Sequence, residues 1–243
     1  GLRACDKCMP QHRNRILINH MGSILLPYNQ YHRENLIREN IHPSKIFVTG
    51  NTTFEAMRAF LPQINESKIL GRLGLEPKGY ILVTAHRSEN VDNPEYLKGI
   101  FQALGRLVER FKLDVVYPMH PRTKSKLKSI DIPKGVKIML PLGFYDFNRL
   151  LKESYCVLSD SGTAAEEGLF YRVPSVSLRM ATERPETVES GGNIISGMDL
   201  DNIIESVATA VGQPWCARYD FGEDFSPSTV VINAIRSQIT NFF

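Results

Sequence analysis

From Tyr80 onward the chain alternates short apolar runs with stretches whose apolar positions recur at helical spacing. YILVTAH, DVVYPMH, VKIMLP, YCVLSD and PSVSLR read as strands, each bounded by polar or turn residues. Between the first two, Pro94 to Phe111 puts Leu97, Ile100, Leu104, Leu107 and Val108 on one helical face. A short basic helix is expected around Arg122 to Lys128, with further helices near 145–153, 163–171 and Leu200 to Val211. Ser226-Pro227 reads as the cap of a last helix. Continuously apolar strands alternating with helices predict a Rossmann-like parallel sheet covered on both faces.

The first 55 residues read differently. They hold a helix (Asn14 to Met21), a strand (Ile24 to Leu26), a helix (His32 to Glu39) and a strand, KIFVTG. One β-α-β unit with a leading helix is too little for its own core, so it reads as the tail of a second α/β domain. The expected organisation is 1–55 as an N-terminal Rossmann-like remnant, 56–225 as a ligand-binding Rossmann-like domain, and 226–243 as a C-terminal helix. Thr53 to Gly74 would join the two.

In such a sheet, ligands bind beyond the C-terminal strand ends. The polar motifs AHRSEN, MHPRT, SDSGT and LRMATERPE all fall there. In SDSGTAAEEG, small residues let the backbone approach a ligand, and a helix starting near Thr163 turns its free N–H groups toward an anion. Ser161 adds a hydroxyl, and a glutamate one turn on, Glu166 or Glu167, suits ribose hydroxyls. His86, Arg87, His120, Arg122, Arg179 and Arg184 converge on the same edge, as a diphosphate requires. Singly, each also reads as a satisfied strand-end residue, a solvated side chain or, for Arg184, an ion pair with Glu183 or Glu186. In PLGFYDFNRL, Phe144, Tyr145 or Phe147 could stack on a base, although Phe147, Leu150 and Leu151 also read as helix anchors.

Composition narrows this picture without redirecting it. The 243 residues are 42% hydrophobic and 23% charged with a net charge of +3, which points to neither nucleic acid nor an anionic membrane as partner. No apolar run is long enough to span a bilayer. Four cysteines make no disulfide framework, so a reducing cytoplasm is the expected setting. Cys5 and Cys8 have metal-ligand spacing but no second pair, so they read as loop cysteines and no metal is expected. The absence of GxGxxG and GxxxxGK[ST] supports neither a nicotinamide cofactor nor a P-loop.

VTAHRSENVDNPEYL, SDSGTAAEEG and ATERPETVESG resemble the non-hydrolysing UDP-N-acetylglucosamine 2-epimerase family. GLRACDKCMPQHRNRILINH and ENLIRENIHPSKIFVTGNTTFEAM resemble that family's mid-chain segment. The resemblance implies a glycosyltransferase-B arrangement of two Rossmann-like domains, a UDP-sugar substrate, no cofactor, and a homodimer or a separate N-terminal half as partner. It implies Ser161, Gly162 and Thr163 at the diphosphate and Glu167 at the ribose. Arg184, Arg87, His120 and His86 would contact phosphate and sugar, and Leu142, through its backbone, and Phe147 the uracil. The family reaction interconverts UDP-GlcNAc and UDP-ManNAc by eliminating UDP and adding it back, which needs acid and base groups beside the sugar. Of the family's three acids, one lies on an N-terminal strand and one just before the Ala-Gly-Leu-Arg turn, both outside this sequence. The third is the first glutamate of Met-Pro-Glu, and here that motif reads Met9-Pro10-Gln11. The resemblance therefore implies a fragment that does not turn over alone. A non-catalytic UDP-sugar-binding paralogue, a UDP-sugar glycosyltransferase of the same fold and a hydrolysing epimerase are the alternatives.

Overall fold

The computed structural model describes residues 1–4, 10–127, 130–219 and 226–239. Cys5, Cys8 and Met9 lie outside them. The described chain forms two compact units. The larger comprises residues 62–180 and 187–218; the smaller comprises 1–61, 181–186 and 219–243.

The larger unit is built on six parallel strands: β1 (Tyr80–Thr84), β2 (Asp114–Pro118), β3 (Val136–Met139), β4 (Cys156–Ser159), β5 (Ser175–Ser177) and β6 (Asn193–Ile195). Their order is β3-β2-β1-β4-β5-β6, so successive strands run outward in opposite directions from the β1–β4 pair. This is the Rossmann-like order, and the C-terminal ends of β1 and β4 flank its switch point. Register is set at that pair by Ile81 opposite Cys156 and Thr84 opposite Ser159.

Because strand side chains alternate between faces, Tyr80 and Leu82 go to one side and Ile81 and Val83 to the other. The Ile81 and Val83 face packs with α7 (Pro94–Phe111) and α12 (Leu200–Gly212). On this side Leu97, Ile100, Leu104 and Leu107 are buried as the helical spacing predicts. The opposite face carries α5 (Ile69–Leu73), α9 (Phe144–Glu153) and α10 (Gly162–Tyr171). Burying both faces explains why the central strands β1, β2 and β4 read as mainly apolar runs. The buried Tyr80 hydroxyl donates to Leu150 O at 2.6 Å, so its polar end is satisfied inside the core.

Several elements depart from the sequence reading. The basic helix shortens to α8 (Pro121–Lys124), and β6, only three residues long, carries no legible period. Thr53 to Gly74 is not a simple connection: it holds α3 (Thr52–Ala59), α4 (Leu61–Glu66) and α5, which bury Phe54, Met57, Ile64 and Ile69. In the smaller unit α1 (Pro10–Met21) and α2 (Gln30–Arg38) form as helices, but the two expected strands reduce to one parallel bridge, Leu25 with Ile46. Three backbone bonds hold that bridge: Leu25 N to Lys45 O, Phe47 N to Leu25 O and Thr49 N to Pro27 O. Its apolar cluster is small, with Leu25, Leu36, Ile41 and Ile46 buried. The unit is braced elsewhere by Glu55, which accepts from Ser226 Oγ at 2.5 Å and from Ser228 N at 2.9 Å at the start of α13 (Pro227–Ile239).

His32 is buried in this smaller unit, edge-on to Tyr28 at 4.5 Å, with Nε2 3.7 Å from Glu186 Oε1. Burial first, then the charge of the Gly1 amino group, with smaller contributions from Arg184 and Arg3, lower its pKa from 6.5 to about 4. The folded chain thus keeps His32 neutral where the unfolded chain has begun to protonate it. Its contribution is intact above about pH 6.5 and is lost as pH falls toward 4, amounting to about 3 kcal/mol. Urea denaturation from pH 7.5 to 4.5 should show this loss, and His32→Phe should flatten the slope. In the larger unit, a Cβ on Gly168 would lie 3.0 Å from Val173 O and 3.4 Å from Ser175 Cβ, so glycine permits the close seating of α10 on β5. Gly168→Leu should lower stability by about 1–3 kcal/mol, read as a reduced denaturation midpoint at unchanged m-value.

Candidate functional site

At the switch point, β1 runs into Ala85-His86-Arg87 and β4 into Asp160-Ser161-Gly162. Asp160 is fully buried. Its carboxylate accepts from His86 N at 3.1 and 3.0 Å, from Arg87 N at 2.8 Å and from Asn90 Nδ2 at 3.2 Å. The same Asn90 nitrogen donates to Leu178 O at 3.0 Å, which fixes the amide between the β1 and β5 loops. From the other side, Tyr117 Oη and Thr123 Oγ1 both donate to Ala85 O, at 2.7 and 3.2 Å. Burial, then the Asp160 charge, pushes the Tyr117 phenol up, which keeps that donor protonated. A buried carboxylate is retained only when well solvated by donors, and three directions of N–H supply that here.

The His86 ring stands on this anchored backbone yet is half-exposed itself, with Nδ1 3.7 Å from Asp160 Oδ1. His120, after β2, is also exposed, and its ring centre is 6.5 Å from that of His86. Arg87 is half-buried and reaches Glu89 at 3.1 Å. The Arg122 backbone lies in α8.

On the β4 side, Ser161 is the N-cap of α10, with extended backbone and no capping bond from its side chain. Its N–H donates to Ser159 Oγ at 2.9 Å. Gly162 is buried and Thr163 half-buried, so the first turn of α10 offers amides, a hydroxyl and the positive end of a helix beside His86. Burial distinguishes the two glutamates: Glu166 is 2% exposed, whereas Glu167 is only partly covered. Glu167 lies six residues beyond Ser161, about 9 Å along the helix axis.

After β3, Leu142 precedes Gly143, the exposed N-cap of α9. Phe147 is half-buried against the core that contains Leu150 and Leu151, while Phe144 and Tyr145 are 44% and 43% exposed. Arg179, after β5, is buried.

Arg184 and Gln11 fall in the smaller unit. There Arg184 pairs with Glu183 at 3.0 Å, and Arg15 approaches the same carboxylate at 3.7 Å. Gln11 is exposed near the start of α1. The larger unit therefore assembles His86, Arg87, His120, Ser161, Gly162, Thr163 and Glu167 along one strand edge. Sequence reading passed over Asp160 and Asn90, which organise that edge. Their one signal was an acid directly after an apolar strand. No helix among the described residues is long and apolar enough to cross a membrane, and no cluster of metal-ligating side chains occurs among them.

A family model described as UDP-N-acetylglucosamine 2-epimerase matches residues 1–224. The chain is 35% identical over 240 residues to the UDP-N-acetylglucosamine 2-epimerase of Methanocaldococcus jannaschii, covering 95% of this chain and 66% of that protein. It is 31% identical over 245 residues to the enzyme of the same name from Methanococcus maripaludis, covering 97% and 66%. A crystal structure of the M. jannaschii protein in complex with UDP-GlcNAc and UDP superposes with a TM-score of 0.89 at 34% identity, covering 97% of this chain and 67% of that one. The chain thus spans about two thirds of the length of these curated relatives, 66% of each.

Removing the Asp160 carboxylate leaves the His86 and Arg87 amides without their acceptor and takes one of two acceptors from the buried Asn90 amide. Asp160→Ala should therefore cost about 2–4 kcal/mol, measured by denaturant titration.

Proposed function

The chain belongs to the UDP-N-acetylglucosamine 2-epimerase family, and on that premise we propose that it binds a UDP-N-acetylhexosamine, with UDP at the switch point of its sheet. The observation that carries this reading is the uncapped first turn of α10 beside the anchored His86. In this reading the diphosphate takes the α10 amides and the Ser161 and Thr163 hydroxyls, which have no charge to repel it. Glu167, further along the helix, accepts from the ribose hydroxyls. The Leu142 backbone and Phe147 hold the uracil, and Arg87 and His120 add donors around the phosphates. His86 faces the sugar end. Arg184 and Gln11 belong to the smaller unit, and their roles rest on the family resemblance alone.

Epimerisation removes the C2 proton as the C1–O bond to UDP breaks, leaving a glycal. UDP then returns to C1 while a proton arrives on the opposite face of C2. Two faces need two proton-carrying groups. His86 can carry one proton; the amide of Gln11, at the family's glutamate position, is neither a working acid nor a working base at neutral pH. We infer a chain that holds UDP-sugar and does not epimerise it unaided. Gln11 also favours the second reading, a UDP-sugar-binding module without catalysis. In heavy water with UDP-GlcNAc, saturation-transfer NMR should report binding while the C2 proton signal persists. Absence of transfer would overturn the nucleotide-sugar reading, and loss of the C2 signal with UDP-ManNAc appearing would show a catalytically complete chain. Glu167→Ala should weaken UDP by about tenfold, and Gln11→Glu should leave UDP binding unchanged.

A further inference from the structure

We propose that Asp160 is the positioning residue of His86: it immobilises the loop beneath the ring and turns the ring so that Nδ1 carries its proton toward the carboxylate and Nε2 faces the ligand. The inference rests on reading this strand edge as the UDP-sugar site, and it adds the group through which His86 is set.

Three observations carry it. First, the backbone under His86 is held from both sides. His86 N and Arg87 N donate to Asp160, while Ala85 O accepts from Tyr117 and Thr123. A half-exposed ring on so constrained a backbone has only its own side-chain torsions left to vary. Second, Asp160 is fully buried and its remaining donor, Asn90, is itself buried and tied to Leu178 O, so the carboxylate has little freedom to turn away. Third, the ring edge nearest the carboxylate is Nδ1, at 3.7 Å from Oδ1. That separation is too long for a hydrogen bond, yet it lies within reach of one small side-chain rotation in the free chain. The two imidazole nitrogens sit on opposite edges of the ring. With the Nδ1 proton held inward, the Nε2 lone pair is outward and can accept a proton, and a protonated ring then donates from Nε2. A carboxylate that only braced the loop would leave the tautomer to solvent, where Nε2–H is the usual form.

Nitrogen-15 NMR on the free 243-residue chain at about pH 8, above the ordinary titration range of imidazole, reads the tautomer directly. The His86 signals are identified by their loss in His86→Ala. The expected result is Nδ1–H as the majority form, reverting to Nε2–H in Asp160→Asn, whose amide presents an N–H donor to Nδ1. A majority of Nε2–H in the wild-type chain overturns the proposal, and this measurement stands even if Asp160→Asn does not fold. Where the variants fold, Asp160→Asn and His86→Ala should each weaken UDP-GlcNAc by about tenfold, and the double variant by no more than either. Additive losses would also overturn it. If the wild-type chain binds no UDP-GlcNAc, the functional reading fails, while the tautomer in the free chain still decides the role of Asp160.

Discussion

A buried carboxylate at the opening of a parallel sheet is the constraint around which this site is arranged. Where strand order reverses, the β1 and β4 ends diverge and no crossover covers them, so the backbone N–H groups just past the strands lose their ladder partners. Asp160 answers for the β1 side, taking His86 N and Arg87 N, and its own N–H returns to Thr84 O at 3.2 Å. Placing an anion in the interior is costly unless donors surround it, and Asn90 completes the set. The α10 side is treated oppositely: its first turn is left without a side-chain cap. One set of amides is satisfied from within, the other has no side-chain cap and is where the proposed diphosphate would sit.

That division depends on how the sheet is packed. Alternate side chains of β1 fill cores on both faces, so the strand cannot slide or rotate without moving Tyr80, Ile81, Leu82 and Val83 together, all buried. Helix α10 is held close to β4 and β5 because Gly168 lets its backbone approach Val173 O and Ser175. The small residue at the helix interior thus governs where the N-terminus of the same helix lies. Packing, in this sense, sets the position of the amides that the proposed diphosphate would use.

The smaller unit follows a different economy. Its apolar cluster is slight, and much of its cohesion comes from polar contacts: Arg3 with Glu39 at 2.6 Å, Tyr28 and Asn29 donating to Glu186 Oε1, and Glu55 at the start of α13. Such contacts stabilise less per partner than apolar burial and are more sensitive to pH. His32 makes this concrete, since it is kept neutral by its surroundings.

How much of this was legible beforehand varies by element. The strands β1, β2 and β4 were readable because burial on both faces leaves them mostly apolar, and α7 because its apolar residues return at helical spacing. The polar motifs at the strand ends, and the family resemblance they carry, were readable from residue type and order alone. Three things were not. The strand β6 is too short to show a period, the segments around Leu25 and Ile46 pair through a single bridge despite strand-like composition, and Thr53 to Gly74 forms three short helices. Nor could order along the chain say that Glu166 is buried and Glu167 accessible, because that turns on how α10 rotates against the sheet. The amino-acid sequence by itself determined the parallel sheet, the strand-end chemistry and the glutamine at position 11. Only the tertiary structure decided that Asp160, 74 residues from His86, holds that histidine's loop, because such a partnership is made by strand order and not by proximity in the chain.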